Sequence, residues 1–255
     1  MNKLVTFFGI LSFIILFFLA YPLLALVLSV NPELLGYAVK SPVAVKALTL
    51  TLEAATFSTI LLLFLGVPLA YVLARYSFKG KGFIEALIDL PLVIPHAVVG
   101  IMLLIAFGPR TGLGGLLEGL GVVLENSFWA IVAVFMFVGA PLLIDCAKDG
   151  FASVSPSLEG VARCMGASPA RAFLTVSLPL AARNIFTGAL LAWARAMSEV
   201  GALLIIAYYP KTINVLVIEW FNTYGLGYAV ALTAILLLIS ITVFVILRAL
   251  LRWKH

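Results

Sequence analysis

Arg195 and Glu199 stand four residues apart inside a long apolar run of this 255-residue chain, and His96 follows Pro91 and Pro95 at the start of another. Residues four apart share one face of a helix, and an ionised side chain at bilayer depth costs about 3 kcal/mol or more. The pair is therefore either a mutually neutralising lock between helices or a charge that acts on something passing by. An arginine tempered by a glutamate, with Ser198 between them, attracts an anion without trapping it. Pro91 and Pro95 interrupt backbone hydrogen bonding, which marks either a plain helix start or the hinge of a gate. His96 reads as an interfacial residue or as a proton sensor. These six residues are the pore and gate candidates.

Other reactive constellations are missing from the sequence. It has no Gly-x-x-x-x-Gly-Lys-Ser/Thr phosphate loop, so this chain is not expected to bind ATP in the usual way. Nor does it show a Ser-His-Asp set or paired catalytic carboxylates. With His96 and His255 as its two histidines, no metal site is expected. Cys146 and Cys164 both fall in a stretch read below as facing the cytoplasm, where thiols stay reduced. The expectation is a chain that is not an enzyme and carries no cofactor.

The elements that hold these residues are set by composition. Hydrophobic residues make up 64% of the chain and charged ones 11%, against roughly 45–50% and ~25% in soluble domains. Lipid must cover most of such a surface. A spanning helix needs about 20 apolar residues, and the apolar runs predict six: 4–30, 48–74, 90–107, 128–144, 185–209 and 229–247. The whole chain then forms one all-α transmembrane domain. Lys3, Arg75, Lys79, Lys81, Lys148, Arg163, Arg171, Arg183, Arg248, Arg252 and Lys254 fall on one side of it, and Lys40, Lys46, Arg110 and Lys211 on the other. The richer side is expected in the cytoplasm, with both termini. Basic residues scattered at span ends argue against a nucleic-acid partner. Tyr208, Tyr209 and Trp220 read as interfacial belt residues or as the rim of a docking surface.

The stretch 145–183, between the fourth and fifth spans, is punctuated like a soluble helix. Ser155 suits an N-cap and Pro156 the first helical position, while Gly166 can take the left-handed conformation that ends a helix. Leu158, Val161, Ala162 and Met165 recur at i, i+3, i+4 and i+7 and form one apolar stripe, with Glu159 and Arg163 off it. Ser168 and Pro169 open a second helical stretch, and Leu178-Pro179 predicts its disruption. The stripe either packs on the protein's own span ends or docks a soluble partner.

The segment Leu158-Glu-Gly-Val-Ala-Arg-Cys-Met-Gly-Ala-Ser-Pro169, with Val176-Ser-Leu-Pro179 after it, resembles the EAA loop of ABC importer permeases. Gly166, Val176, Leu178 and Pro179 match that pattern at its spacing. The family's acidic residue falls on Gly160 here, so Glu159 is one position early, a rotation of about 100° that can aim the carboxylate elsewhere. Asp89-Leu-Pro-Leu-Val-Ile-Pro-His-Ala-Val-Val-Gly100 is similar to the entry of the third span in molybdate, tungstate and sulfate permeases. Trp193-Ala-Arg-Ala-Met-Ser-Glu-Val-Gly-Ala202, continuing to Ala207-Tyr-Tyr-Pro210, is similar to the fifth span of the same proteins, and the Ala-Tyr-Tyr-Pro ending looks most like archaeal molybdate/tungstate permeases.

The resemblance implies a permease subunit that imports a tetrahedral oxyanion, tungstate or molybdate, by alternating access. It implies a homodimer with two ATP-binding cassette subunits that hold ATP and magnesium, and an extracytoplasmic oxyanion-binding protein. Glu159, Gly160, Val161, Ala162, Arg163, Met165, Gly166, Ala167, Ser168 and Pro169 would then form the coupling helix on the ATPase. A sulfate permease is the alternative within the class, and an ion-coupled secondary anion transporter the alternative outside it.

Overall fold

The computed structural model describes residues 3–252, and the basic Lys254 and the second histidine, His255, lie outside them. Among the described residues the regular structure is entirely helical: α1 Lys3–Leu28, α2 Pro32–Lys40, α3 Pro42–Arg75, α4 Lys81–Val93, α5 His96–Phe107, α6 Gly112–Gly119, α7 Phe128–Ser153, α8 Pro156–Cys164, α9 Pro169–Ala172, α10 Leu178–Met197, α11 Leu203–Ile206, α12 Ile213–Tyr224 and α13 Leu226–Arg252. Five stretches are long and apolar enough to cross a membrane: Leu4–Leu28, Pro42–Arg75, Phe128–Ser153, Pro169–Met197 and Leu226–Ile246. A sixth exists only if α5 and α6, bent by 73° at their junction, count as one span.

The centre is a three-helix packing of α3, α7 and α10. Small side chains bring them together: Ala54, Ala55, Ala70, Ala147, Ala181, Ala189, Ala192 and Ala196 are all buried, as expected where van der Waals fit rather than water exclusion drives helix association. Phe135, Phe151 and Trp193 fill the larger gaps. A satellite core of Ala38, Ala44, Ile213, Leu216, Trp220 and Leu232 joins α2, α3, α12 and α13. Helix α1 is exposed almost throughout, a surface suited to lipid.

Several predicted elements differ from the observed ones. In the third span, 90–107, the interruption falls at Pro95 and not at Pro91: Ile94, held extended (φ −73°, ψ 131°) by the following Pro95, separates α4 from α5, while Pro91 lies inside α4. The 145–183 loop is shorter, because α7 continues to Ser153 and a helical path resumes at Pro169. Leu178-Pro179 does not disrupt that path; a π-turn at Phe173–Ser177 leads directly into α10, with Pro179 in its first turn, where a missing N–H is tolerated.

The fifth span, expected over 185–209, ends at Met197. Polar groups there take the backbone bonds that a helix would use. Ser198 donates to Arg195 O at 2.9 Å, the Glu199 carboxylate accepts the Ala202 amide at 3.0 Å, and Asn214 Nδ2 donates to Met197 O and Glu199 O at 2.7 and 3.0 Å. Arg195 thus lies in the last turn of α10 and Glu199 in the break that follows it, rather than both on one continuous helix.

Candidate functional site

Two groups of predicted residues are brought together, at different places in the fold. The first is α8. Pro156 starts it and Gly166 (φ 92°) ends it. Gly166 N donates to Arg163 O and Ala167 N to Ala162 O, both at 3.0 Å, a Schellman closure that requires the left-handed residue glycine supplies. Ser155 caps no amide with its side chain and pairs instead with Ser157 at 2.8 Å. Ser168 does cap, accepting from Arg171 N at 3.3 Å.

The stripe of α8 does not pack on the protein's own span ends. Leu158 is 46% exposed, Val161 58% and Met165 84%, with Ala162 half-buried beside them. Gly160, Arg163, Cys164, Ala167 and Pro169 line an adjoining open notch of about 480 Å³. Cys146, by contrast, lies within α7 and not in this loop.

Glu159 points the other way. Arg75 Nε donates to its Oε1 at 2.9 Å and Arg75 NH2 lies 2.8 Å from the same oxygen. Tyr71 donates to Oε2 at 2.8 Å, and Ser177 donates to Oε1. Burial raises the carboxyl's pKa, but the hydrogen bonds from Ser177, Tyr71 and Arg75 and the Arg75 charge outweigh it, so the net shift is downward. Tyr71, Arg75 and Ser177 were not singled out by sequence: Tyr71 and Arg75 lie far from Glu159 along the chain, Arg75 reads there as an ordinary basic span end, and Ser177 stands in the Val176–Pro179 ending with no role of its own.

The second group surrounds the break after α10. Arg195 NH2 donates to Glu199 Oε2 at 2.8 Å and approaches both His96 ring nitrogens, at 2.8 and 3.1 Å. Arg195 NH1 donates to Ser198 Oγ at 3.3 Å, and His96 Nδ1 lies 3.3 Å from Glu199 Oε2. The Glu199 side chain is 1% exposed, Arg195 21% and His96 50%. A buried carboxylate thus anchors a guanidinium whose outer side, with the imidazole and the Ser198 hydroxyl, remains accessible. Pro95 places His96 at the first position of α5. Close approach does the rest: a Cβ on Gly201 would meet His96 Cβ at 2.7 Å, and one on Gly100 would meet Ala202 O at 2.6 Å. Pro91 is buried within α4 and is not part of this cluster.

Toward the N-terminal end of α3, Lys46, Thr49, Glu53, Tyr209 and Lys211 line a cleft of about 620 Å³. Lys211 is 2.6 Å from Glu219, to which Tyr208 also donates at 3.1 Å. Trp220 is not a belt residue: it is 5% exposed, among Tyr37, Tyr224 and Tyr228.

Comparison with known proteins follows the same lines. The family of binding-protein-dependent transport system inner membrane components matches residues 66–254. The molybdate/tungstate transport system permease proteins WtpB of Pyrococcus furiosus and Thermococcus kodakarensis are 47% and 44% identical, over 96% and 97% of this chain and 90% and 96% of theirs. A probable sulfate transport system permease protein of Zygnema circumcarinatum is 29% identical over 96% of this chain and 90% of its own. Among solved structures, a bacterial alginate ABC transporter bound to its periplasmic protein superposes with a TM-score of 0.79 at 16% identity, covering 99% of this chain and 96% of that one. The methionine transporter MetNI does so at 0.65 and 14%, covering 83% and 95%. This multi-pass membrane chain belongs to the binding-protein-dependent transport permeases, alongside those of molybdate/tungstate systems.

Proposed function

We propose that this chain is the membrane subunit of an ATP-driven importer of tungstate and molybdate, the substrates named for the permeases it resembles. The observation that carries the mechanism is the outward-facing stripe of α8. Leu158, Val161 and Met165 remain largely exposed among the described residues, and a 9-residue helix held by its polar side presents them to a groove on a partner. That partner is an ATP-binding cassette subunit, which binds ATP and magnesium. Two copies of the permease pair with two such subunits, and a binding protein delivers the oxyanion on the opposite face. The α8 end and both termini then lie in the cytoplasm, in line with the distribution of lysine and arginine.

Translocation follows from alternating access at the dimer interface. ATP binding draws the two ATPases together and each α8 follows its own. The Arg195, His96 and Ser198 surface faces the passing dianion, and Glu199 tempers the charge so that the anion leaves again. The interruption at Ile94–Pro95 between α4 and α5 is the hinge of the gate.

Uptake of labelled tungstate with and without this chain tests the substrate. Blocking by excess molybdate but not sulfate is expected, and blocking chiefly by sulfate would reassign the anion. Replacing Ala162 or Gly166 with a bulky charged residue is expected to abolish coupled transport while the membrane helices stay folded. Unchanged transport in both would remove α8 from the mechanism.

A further inference from the structure

Glu159 sits on the helix read above as the docking element, yet its carboxylate is turned into the protein and held by three side chains from two other elements. The bonded atoms join four elements. Tyr71 and Arg75 belong to the last turns of α3, Ser177 ends the π-turn that leads into α10, and Arg75 NH1 also donates at 2.8 Å to Val154 O, the C-cap of α7. A guanidinium is well placed there, since it meets both a carboxylate and the negative end of a helix. Beneath the polar bonds, Tyr71 packs edge-on against Phe151 of α7 and Phe173 of the π-turn, at ring distances of 5.3 and 4.8 Å.

None of the α8 residues is fully buried, so its own apolar contacts give it only a shallow hold on the bundle. A hydrophobic anchor would serve stability as well as an ion pair does, because desolvation offsets much of the Coulomb gain. An ion pair with fixed donors adds direction, because it resists rotation and sliding of α8 in a way that dispersion contacts do not.

We propose that Arg75 and Glu159, with Tyr71 and Ser177, are positioning residues that form the mechanical link from α8 to α3, α7 and α10. The link converts movement of the ATPase into movement of the bundle, and it rests on the reading of α8 as the ATPase-docking helix. Glu159 is then not a contact to the ATPase. Stiffness fits the role: the side chains of Arg75 and Glu159 are 8% and 17% exposed, and the π-turn is a geometry common at functional points of helices.

The test uses the whole transporter, permease with ATPase subunits, in liposomes with the tungstate-loaded binding protein outside. Arg75→Met, Glu159→Gln and the double variant are compared for yield of assembled complex and for the ratio of stimulated to basal ATPase. Each single variant leaves an uncompensated polar group and is expected to lower yield. The double variant removes both charges and is expected to restore yield while the stimulation ratio stays about tenfold below wild type, within the range of coupling between sites. If the double variant recovers stimulation along with yield, the node is structural and the proposal falls. Should the double variant not assemble, Tyr71→Phe decides, since it keeps the ring packing and loses only the bond to Glu159. Assembly with stimulation reduced about fivefold is expected, and full stimulation overturns the link. Met165→Glu separates this from the docking reading: it faces outward, so its failure to weaken ATPase binding counts against docking itself.

Discussion

Glu199→Ala is the sharpest perturbation of the charge cluster. The carboxylate accepts the Ala202 amide and the Arg195 guanidinium, so truncation leaves a buried N–H without a partner, at about 1–3 kcal/mol. It also strips Arg195 of its counter-charge. Breaking a fully buried pair from one side costs about 3–5 kcal/mol, but Arg195 is 21% exposed, and water screens part of that loss. A total of about 3 kcal/mol is reasonable, and at about 2–4 °C per kcal/mol for a chain of this size the melting temperature in detergent falls by about 6–12 °C. Glu199→Gln keeps an acceptor for Ala202 and is expected to lose about half as much. In Arg195→Ala/Glu199→Ala both charges are gone, so the double variant should be more stable than the sum of the singles predicts, by about 1–3 kcal/mol. A Glu199→Ala melt within 2 °C of wild type (about 1 kcal/mol or less), or strict additivity in the cycle, would refute the pairing. Tungstate uptake then separates lock from path. A folded double variant that transports at the wild-type rate leaves the pair with a structural role alone.

Three further expectations follow from single contacts. Thr51 Oγ1 accepts the buried Ile213 amide at 2.9 Å, at the start of α12; Thr51→Val orphans it and should cost about 1–3 kcal/mol in thermal unfolding, with Thr51→Ser recovering most of it. Gly100→Ala forces a Cβ against the Ala202 carbonyl, and should cost about 1–3 kcal/mol, whereas Gly160→Ala, with open space around it, should gain up to about 1 kcal/mol in the isolated subunit. The Glu159 carboxyl titrates below its ordinary value of 4.5 in the folded chain, so its contribution is full above that value and is lost as pH falls through the lowered one. The stability gap between wild type and Glu159→Gln should therefore close on acidification; a gap independent of pH down to unfolding would contradict the ion pair.

What could be read in the sequence divides along a physical line. Local rules placed α8 well: proline at its first position and glycine two residues past its end act within one turn of chain. The end of α10 escaped the same treatment because the run from 185 to 209 is apolar on both sides of the break. In a membrane chain, lipid-facing and core-facing residues are alike apolar, so periodicity loses its power to show where a helix stops. Ser198 and Gly201 were the available signal, each a poor helix residue for its own reason. The link under α8 was hidden differently. Its partners come from positions 71, 75, 159 and 177, and no local pattern joins them. One clue was present: Glu159 lies a position early against the EAA pattern, and a rotation of about 100° turns a residue that would face outward toward the bundle. Ionisable groups at such places are the ones whose solvation must be answered by a partner, so asking which group answers each charge recovers tertiary contacts that hydropathy cannot. For Glu199 that question leads to Arg195, and for Glu159 to Arg75, and those two pairs hold the proposed path and the proposed lever.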